Sequence, residues 1–339
     1  MGDIQTMCTQ PGTLIECRGL FADCDLRDFV ALCCVKEAAE GWVVKRYKSG
    51  EGFVTLKRLD FVPSAFAAAQ DTFWVAKQGA VSEHILWDHR RAWILGLCKA
   101  GQKHFGEYHV PGPVVYMHSS FSCNARYKLY IITQEGGLHL LDLRSGTCKQ
   151  LAEQVQPSSK LAVLQTSVLF ISQEGYICAY NEARHEVRVV GTDKVMTGQF
   201  VNQAAGMGLS LLLVTASDPV QPNEPDLRGA ALTPGFYTCN EEGQLCRVAP
   251  LLTQEPSSNL VVTERWGVMF LTQAPRGGNY YQLQRLPVHS FSSWHVWIWL
   301  YRFTWPPEPL TLIALSTICC LPVWIAWLLC VATRSTSSS

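Results

Sequence analysis

IITQEGGLHLLDL at 131–143 and FISQEGYICAYN at 170–181 repeat one device. Each has an apolar run, a hydroxyl residue (Thr133 or Ser172), a Gln-Glu pair (Gln134-Glu135 or Gln173-Glu174), a glycine (Gly136 or Gly175) and a second apolar run. Two apolar runs parted by a short polar turn predict an antiparallel hairpin, because glycine takes the positive φ that such turns demand. The two glycines stand 39 residues apart, about the length of one four-stranded propeller blade. A single hairpin cannot bury its own apolar face. Neighbours stacked around a ring do so, and they leave few exposed edges.

Looser echoes of the device follow at 237–248 (YTCNEEGQLCRV) and 270–283 (FLTQAPRGGNYYQL). Further hairpins are predicted from Trp42–Tyr47 with Phe53–Leu59, Phe73–Ala76 with Val81–Leu86, and Trp93–Leu97 with Phe105–Val110. The expected fold is mainly β, with repeated antiparallel hairpins in a propeller-like arrangement. Six or seven blades would use roughly 240 to 290 residues. The spacing breaks early, where Gly79 and Gly101 lie only 22 apart. Residues 217–234 (SDPVQPNEPDLRGAALTP) form a proline-rich loop within the β-rich region.

Ahead of the hairpins, residues 12–40 contain the best helix candidate, beginning after Asp25. Asp25 suits an N-cap, Leu26, Phe29, Val30, Cys33 and Cys34 recur at helical spacing, and Gly41 ends the run. Residues 1–11 are expected to be a flexible end. Met1-Gly2-Asp3-Ile4-Gln5-Thr6 fits the loose pattern for myristoylation at Gly2, with Cys8 as a potential palmitoylation site.

The other end is unlike the rest. Residues 309–332 (PLTLIALSTICCLPVWIAWLLCVA) contain no charged side chain, and as a helix they span roughly 35 Å, enough for a bilayer core of about 30 Å. Upstream, 291–308 hold Trp294, Trp297, Trp299, Tyr301 and Trp305, amphipathic rings that favour the headgroup layer and predict an interfacial collar. Only 333–339 follow. No apolar leader is apparent at the N-terminus, so the expectation is a tail-anchored, single-pass transmembrane helix with the β-rich domain at 12–290 in the cytosol. The nearly uncharged tail suits the endoplasmic reticulum or nuclear envelope better than mitochondria.

Composition narrows the functional classes. The chain has 339 residues, 28 basic and 28 acidic side chains and 48% hydrophobic residues, which excludes disorder as a description of the whole and gives no basic surplus for nucleic acid. The 14 cysteines are too dilute for a disulfide-built miniprotein.

LIECRGLFADCDLRDFVALC at 14–33, FVTLKR at 53–58 and LYIITQEGGLHLLDLRSGTCKQLAE at 129–153 resemble the US22 family of betaherpesviruses and related large DNA viruses. The matched stretches cover about a quarter of the chain. The resemblance implies mixed α+β domains, often present twice, and a non-enzymatic protein that binds host factors in antiviral or cell-death pathways. It brings no catalytic residues, and the C-terminal apolar run departs from the usual soluble members.

Signatures of chemistry are absent. There is no CxxC, HExxH or HxH for a metal, and no GxSxG, P-loop or strand-linked GxGxxG. Cys33 and Cys34, adjacent on a helix, would point about 100° apart and not at one ion. His84, His89, His104, His109 and His118 cluster in sequence, but only the fold can bring them together. No catalytic residue, metal or cofactor is assigned. The turns Gln134-Glu135 and Gln173-Glu174 are surface turns and candidates for a binding face. The sequence thus predicts a membrane-tethered protein–protein interaction module whose partners are a lipid bilayer and unidentified proteins. Its alternatives are a viral host-factor-binding protein and an enzyme of unrecognised class.

Overall fold

The computed structural model describes residues 5–24, 29–69, 72–77, 79–85, 107–119, 128–164, 166–203, 210–216, 232–249, 260–263, 267–273 and 279–286. All of them belong to the unit Met1–His289. A second unit, Ser290–Ser339, lies outside the described residues, and with it the collar, the apolar run and the tail.

Strand β1 (Gln5–Pro11) comes first in the chain but belongs to the last blade. Blade 1 is β2 (Leu14–Cys24), β3 (Phe29–Glu37), β4 (Gly41–Lys48) and β5 (Gly52–Arg58). Blade 2 is β6 (Ala65–Ala69), β7 (Thr72–Lys77), β8 (Ala80–Ile85) and β9 (Glu107–His109). Blade 3 is β10 (Val114–Ser119), β11 (Lys128–Thr133), β12 (Leu138–Asp142) and β13 (Thr147–Ala152). After a single 3-10 turn at Pro157–Ser159, blade 4 follows as β14 (Ala162–Val163), β15 (Ser167–Ile171), β16 (Tyr176–Asn181) and β17 (Glu186–Lys194). Blade 5 opens with β18 (Gly198–Phe200). The short β19 (Asn202–Gln203) then leaves it, and β20 (Ser210–Val214), β21 (Gly235–Cys239) and β22 (Leu245–Ala249) complete it. Blade 6 is β23 (Leu260–Thr263), β24 (Gly267–Gln273) and β25 (Tyr280–Leu286), closed by β1 in antiparallel register from Gln5 opposite Arg285 to Pro11 opposite Tyr280. The chain is a six-bladed β-propeller of antiparallel sheets, sealed by pairing its first strand with its last.

The sequence follows the position of each strand within its blade. Second strands are buried on both faces between neighbouring blades, so they read as unbroken apolar runs: Ala31–Val35, Leu129–Ile132, Val168–Ile171 and Leu211–Val214. Outer strands such as β5, β13 and β17 alternate or expose most residues. The core consequently lies between blades. Leu20, Val43, Leu271 and Tyr281 join blades 1 and 6, while Phe21, Phe66, Phe73, Met117 and Leu129 join blades 1, 2 and 3. Tyr130, Leu138 and Phe170 join blades 3 and 4, and Ile177, Phe200 and Leu212 join 4 and 5. Full burial of each such side chain contributes about 1.5–3 kcal/mol before entropy is counted.

This two-sided burial corrects the expected N-terminal helix. The stretch 29–37 is β3, and its apparent helical spacing comes from apolar residues facing both ways. Cys33 packs toward blade 6 and Cys34 toward blade 2, as alternate residues of a strand must. The expected flexible end is corrected too. Residues 5–11 are held by the ladder to β25, because a ring with an unpaired edge would expose a row of backbone donors and acceptors. The α+β alternative fails with the helix, since the described residues hold strands and one 3-10 turn. Among them no helix is long and apolar enough to cross a membrane. The predicted hairpins are observed, apart from Trp93–Leu97, which lies outside the described residues.

Strand direction alternates, so the turns between second and third strands emerge on the same face as the links between blades. This is termed the link face. Turns between first and second, and between third and fourth, strands emerge opposite. The proline-rich stretch 217–234 falls between β20 and β21 in the chain, and 217–231 lie outside the described residues. In the link from blade 4, Thr197 Oγ1 donates to the Ala216 carbonyl at 2.6 Å.

Candidate functional site

The repeated hydroxyl-Gln-Glu-Gly device builds the link face of blades 3 and 4. Gly136 N–H donates to the Thr133 carbonyl at 3.0 Å and Thr133 N–H to the Gly137 carbonyl at 3.0 Å. The counterparts in blade 4 are Gly175 to Ser172 at 2.9 Å and Ser172 to Tyr176 at 2.9 Å. The glycines take φ of 83° and 88°, which closes a three-residue turn with a bulge. The hydroxyls explain their own recurrence. Thr133 Oγ1 accepts from Gly137 N–H and Ser172 Oγ from Tyr176 N–H, each at 3.1 Å, so the fifth residue's donor is satisfied.

Each turn is stapled on two sides. The first glutamine's N–H reaches back to the preceding link, Gln134 to the Pro113 carbonyl at 2.8 Å and Gln173 to the Gln154 carbonyl at 2.7 Å. The glycine carbonyl accepts from a buried valine in the following link: Gly136 from Val155 at 2.9 Å and Gly175 from Val195 at 2.8 Å. Blade 2 repeats the bond between Gly79 and Val110 at 2.8 Å. These backbone bonds fix where the turn side chains stand. Gln134, Glu135, Gln173 and Glu174 are all exposed, on adjacent blades of one face.

Between the two turns lies a shallow pocket of about 400 Å³, lined by Glu135, Glu153, Gln154, Gln173 and His139, with Pro111 at its edge. Glu135 reaches over Gly112 in the link from blade 2, where a side chain's Cβ would meet Oε2 at 2.5 Å. His139 is 4% exposed and its Nδ1 has no hydrogen-bond partner. Burial lowers its pKa from the usual imidazole value, and the Glu135 carboxylate opposes that shift. Sequence reasoning found Glu135 and Gln173 here but missed His139, Glu153 and Gln154. The only signal for these three was polarity following each apolar run, a pattern shared with any surface turn.

The ring's axis is occupied by a second polar arrangement. β19 pairs in parallel with β23, and its Asn202, 2% exposed, donates Nδ2 to the Leu20 carbonyl at 3.0 Å while Oδ1 accepts from Tyr116 at 2.6 Å. Burial raises the Tyr116 phenol far above its ordinary value, against a lowering backbone hydrogen bond with Leu161. Nearby, burial lowers Lys160 to about 8, opposed by Cys17, and raises Cys17 to about 12. A thiol so raised is a poor nucleophile at neutral pH.

The remaining predicted residues do not assemble. Cys8 lies in β1, half-buried beside Gly52, with its thiol raised by burial. Gly2, Trp294, Trp297, Trp299, Tyr301 and Trp305 lie outside the described residues. His109 is exposed on β9, whereas His118 is buried on β10 with its ring edge-on to Phe21 at 5.9 Å. Among the described residues no group of three or more His, Cys, Asp or Glu is placed to hold a metal ion.

The strand order defines the class of protein, a closed six-bladed propeller with a polar link face. No family model and no curated protein matches the chain. Among solved structures it is similar to the β-propeller domain of Cps50 (Swd1) from Myceliophteria thermophila, at 10% identity and TM-score 0.44, covering 84% of this chain and 100% of that one. A protein of unknown function from Bacteroides thetaiotaomicron matches at 8% identity and TM-score 0.49, over 83% of this chain and 75% of that one. A chain of a mitotic checkpoint complex matches at 10% and 0.48, over 84% and 94%. The propeller assignment rests on the strand pairing of the chain itself.

Proposed function

We propose that this protein is an interaction scaffold held at a membrane, with the link face of its propeller as the surface that receives a protein partner. The observation that carries this reading is the convergence of the exposed Gln134-Glu135 and Gln173-Glu174 turns around one pocket, on backbone fixed by stapled hydrogen bonds. A preorganised polar face binds at little ordering cost. The uncharged run 309–332 and its aromatic collar support the tether. Confinement to one membrane raises the effective concentration of partners there, so a modest interface suffices. In this reading the propeller faces the cytosol, at the endoplasmic reticulum or nuclear envelope.

Two measurements test it. Photo-crosslinking from a benzophenone residue at position 174 gives partner adducts, while the same residue at position 241, on the opposite face, gives none. Equal labelling from both positions refutes the assignment of the face. In sealed microsomes, protease digests an N-terminal tag and spares a C-terminal one, and a chain truncated before Leu310 is released. Protection of the propeller refutes the cytosolic orientation.

A further inference from the structure

We infer that the outer strand of blade 4 is a self-association surface, and that its occupant is the same strand of a second copy of this chain. β17 (Glu186–Lys194) pairs with β16 on one side and, among the described residues, with no strand on the other. Its first four residues, Glu186 to Val189, are all exposed. Val187 is 42% and Val189 62% exposed, and they stand opposite Tyr180 and Cys178, which are buried in the core between blades 3 and 4. The two valines thus carry the apolar face of that core out to the rim, where Val187 also borders a groove with Leu151 and Ala152 of β13. An open edge with exposed β-branched residues is a template for another strand.

The main chain is presented for pairing. His185 N–H donates to the Asn181 carbonyl at 2.9 Å and closes the turn between β16 and β17. Alternation along the antiparallel ladder then turns the backbone groups of Val187 and Val189 to the open edge. Several other outer strands are blunted. β9 has three residues, β1 ends on Pro11, and β5 shows Lys57 and Arg58, charges of one sign that repel a second copy.

Charge selects both the partner and the register. On β17 the exposed charges beside Val187 are opposite in sign, Glu186 before it and Arg188 after it. A two-fold axis through Val187 sets that valine against itself and places each Glu186 opposite the Arg188 of the other copy, so two opposite-charge pairs flank the axis. An axis one residue further on, at Arg188, would set two arginines against each other. Side chains alternate across a sheet, so Val187 and Val189 of both copies gather on one face and the four charges on the other. Within the chain Glu186 lies 3.5 Å from Arg184, a pair of exposed side chains that contributes little and leaves Glu186 available. The product is one continuous sheet across the two copies of blade 4. It uses a strand edge on the rim, not the link face, so the inference goes beyond the interaction reading and does not rest on it.

The test uses the full chain in neutral detergent, with the number of chains per particle read by sedimentation equilibrium. Two are expected. Glu186→Arg and Arg188→Glu each set like charges opposite one another, and because each change acts twice across the axis, either is expected to weaken the dimer by about tenfold or more. Two combinations are expected to restore it. One is the Glu186→Arg/Arg188→Glu double variant, in which the pairs are exchanged but still complementary. The other is an equimolar mixture of the two single variants, whose charges complement each other only in the mixed dimer. Both residues are exposed, and unchanged circular dichroism establishes that each variant is folded. A monomer across the micromolar range for the unaltered chain overturns the inference. So does a dimer that survives both single variants, as one formed by the C-terminal apolar run would, and so does a dimer that neither combination restores.

Discussion

The Tyr116 hydroxyl donates to Asn202 Oδ1 across 2.6 Å and so ties the inner strand of blade 3 to a strand that has left blade 5. Asn202 also holds the Leu20 carbonyl in blade 1, and its backbone runs parallel to β23 in blade 6. One amide side chain at the axis thus joins distant parts of the ring, where ladder bonds within a blade do not reach.

Asn202→Ala is expected to destabilise the propeller by roughly 2–4 kcal/mol, since two buried hydrogen bonds are lost and the Leu20 carbonyl loses its amide donor. Tyr116→Phe is expected to cost about 1 kcal/mol, and the double variant less than the sum of the two. Urea unfolding of the three variants measures this. Additive effects would mean that the two side chains do not act as a pair.

At the seam between blades 1 and 6, Lys45 Nζ lies 2.6 Å from Glu37 Oε1, and the Tyr281 hydroxyl donates to the same oxygen at 2.7 Å. Lys45 and Glu37 are 3% and 5% exposed. Removal of one charge leaves the other buried without its counter-ion, so Lys45→Met is expected to cost about 3–5 kcal/mol. The Lys45→Met/Glu37→Leu pair is expected to recover most of that loss. Tyr281→Phe, which removes one bond to a charged group, is expected to cost about 1.5–3 kcal/mol. Equilibrium unfolding checks the order, and a double variant as weak as Lys45→Met refutes it.

The turn glycines differ in what surrounds them. A Cβ at Gly136 would stand 2.7 Å from the Val155 carbonyl oxygen, which is backbone, whereas one at Gly175 would meet the flexible Met196 Sδ at 2.5 Å. Both positions carry left-handed φ, which costs a non-glycine residue about 1–2 kcal/mol. Gly136→Ala is therefore expected to lower the unfolding midpoint more than Gly175→Ala. The reverse order would show that the link at Val155 yields more easily than the structure indicates.

Burial lowers His118 to about 4, and its hydrogen bond to the Ser119 carbonyl only partly opposes this. The unfolded imidazole, near 6.5, binds protons that the folded one refuses. The stabilisation is complete above about pH 6.5 and is lost as the pH falls through 4. That loss amounts to at most about 3 kcal/mol, at 1.36 kcal/mol per pH unit. His118→Leu is expected to flatten the stability profile between pH 6.5 and 4 relative to the unaltered chain. Parallel profiles would refute the buried, neutral histidine.

Much of the blade structure was legible because a hairpin is local. Gly136 and Gly175 announce their turns, Thr133 and Ser172 satisfy the donor four residues on, and the apolar runs beside them have little choice but to pair. The segment 29–37 misled for the opposite reason. A strand buried on both faces loses the two-residue alternation that marks strands, and its apolar residues then fit a helical period by accident. The strand at 5–11 could not be read either, because its partner lies about 280 residues further on. At the link face, Glu135 and Gln173 were legible as turn residues. His139 was not, since its role depends on a pocket formed by links from neighbouring blades.

The sequence by itself determined the repeating hairpins, the positions of their turns and the uncharged, aromatic-flanked run at the C-terminal end, all of which follow from contacts between near neighbours or from composition. Only the tertiary structure decided that there are six blades and that β1 closes the ring. It also decided that Asn202 lies at the axis and that Glu135 and Glu153 share a pocket with His139. These relations join residues that are remote along the chain. They arise when each blade buries its faces against the next, a condition that no single stretch of sequence contains.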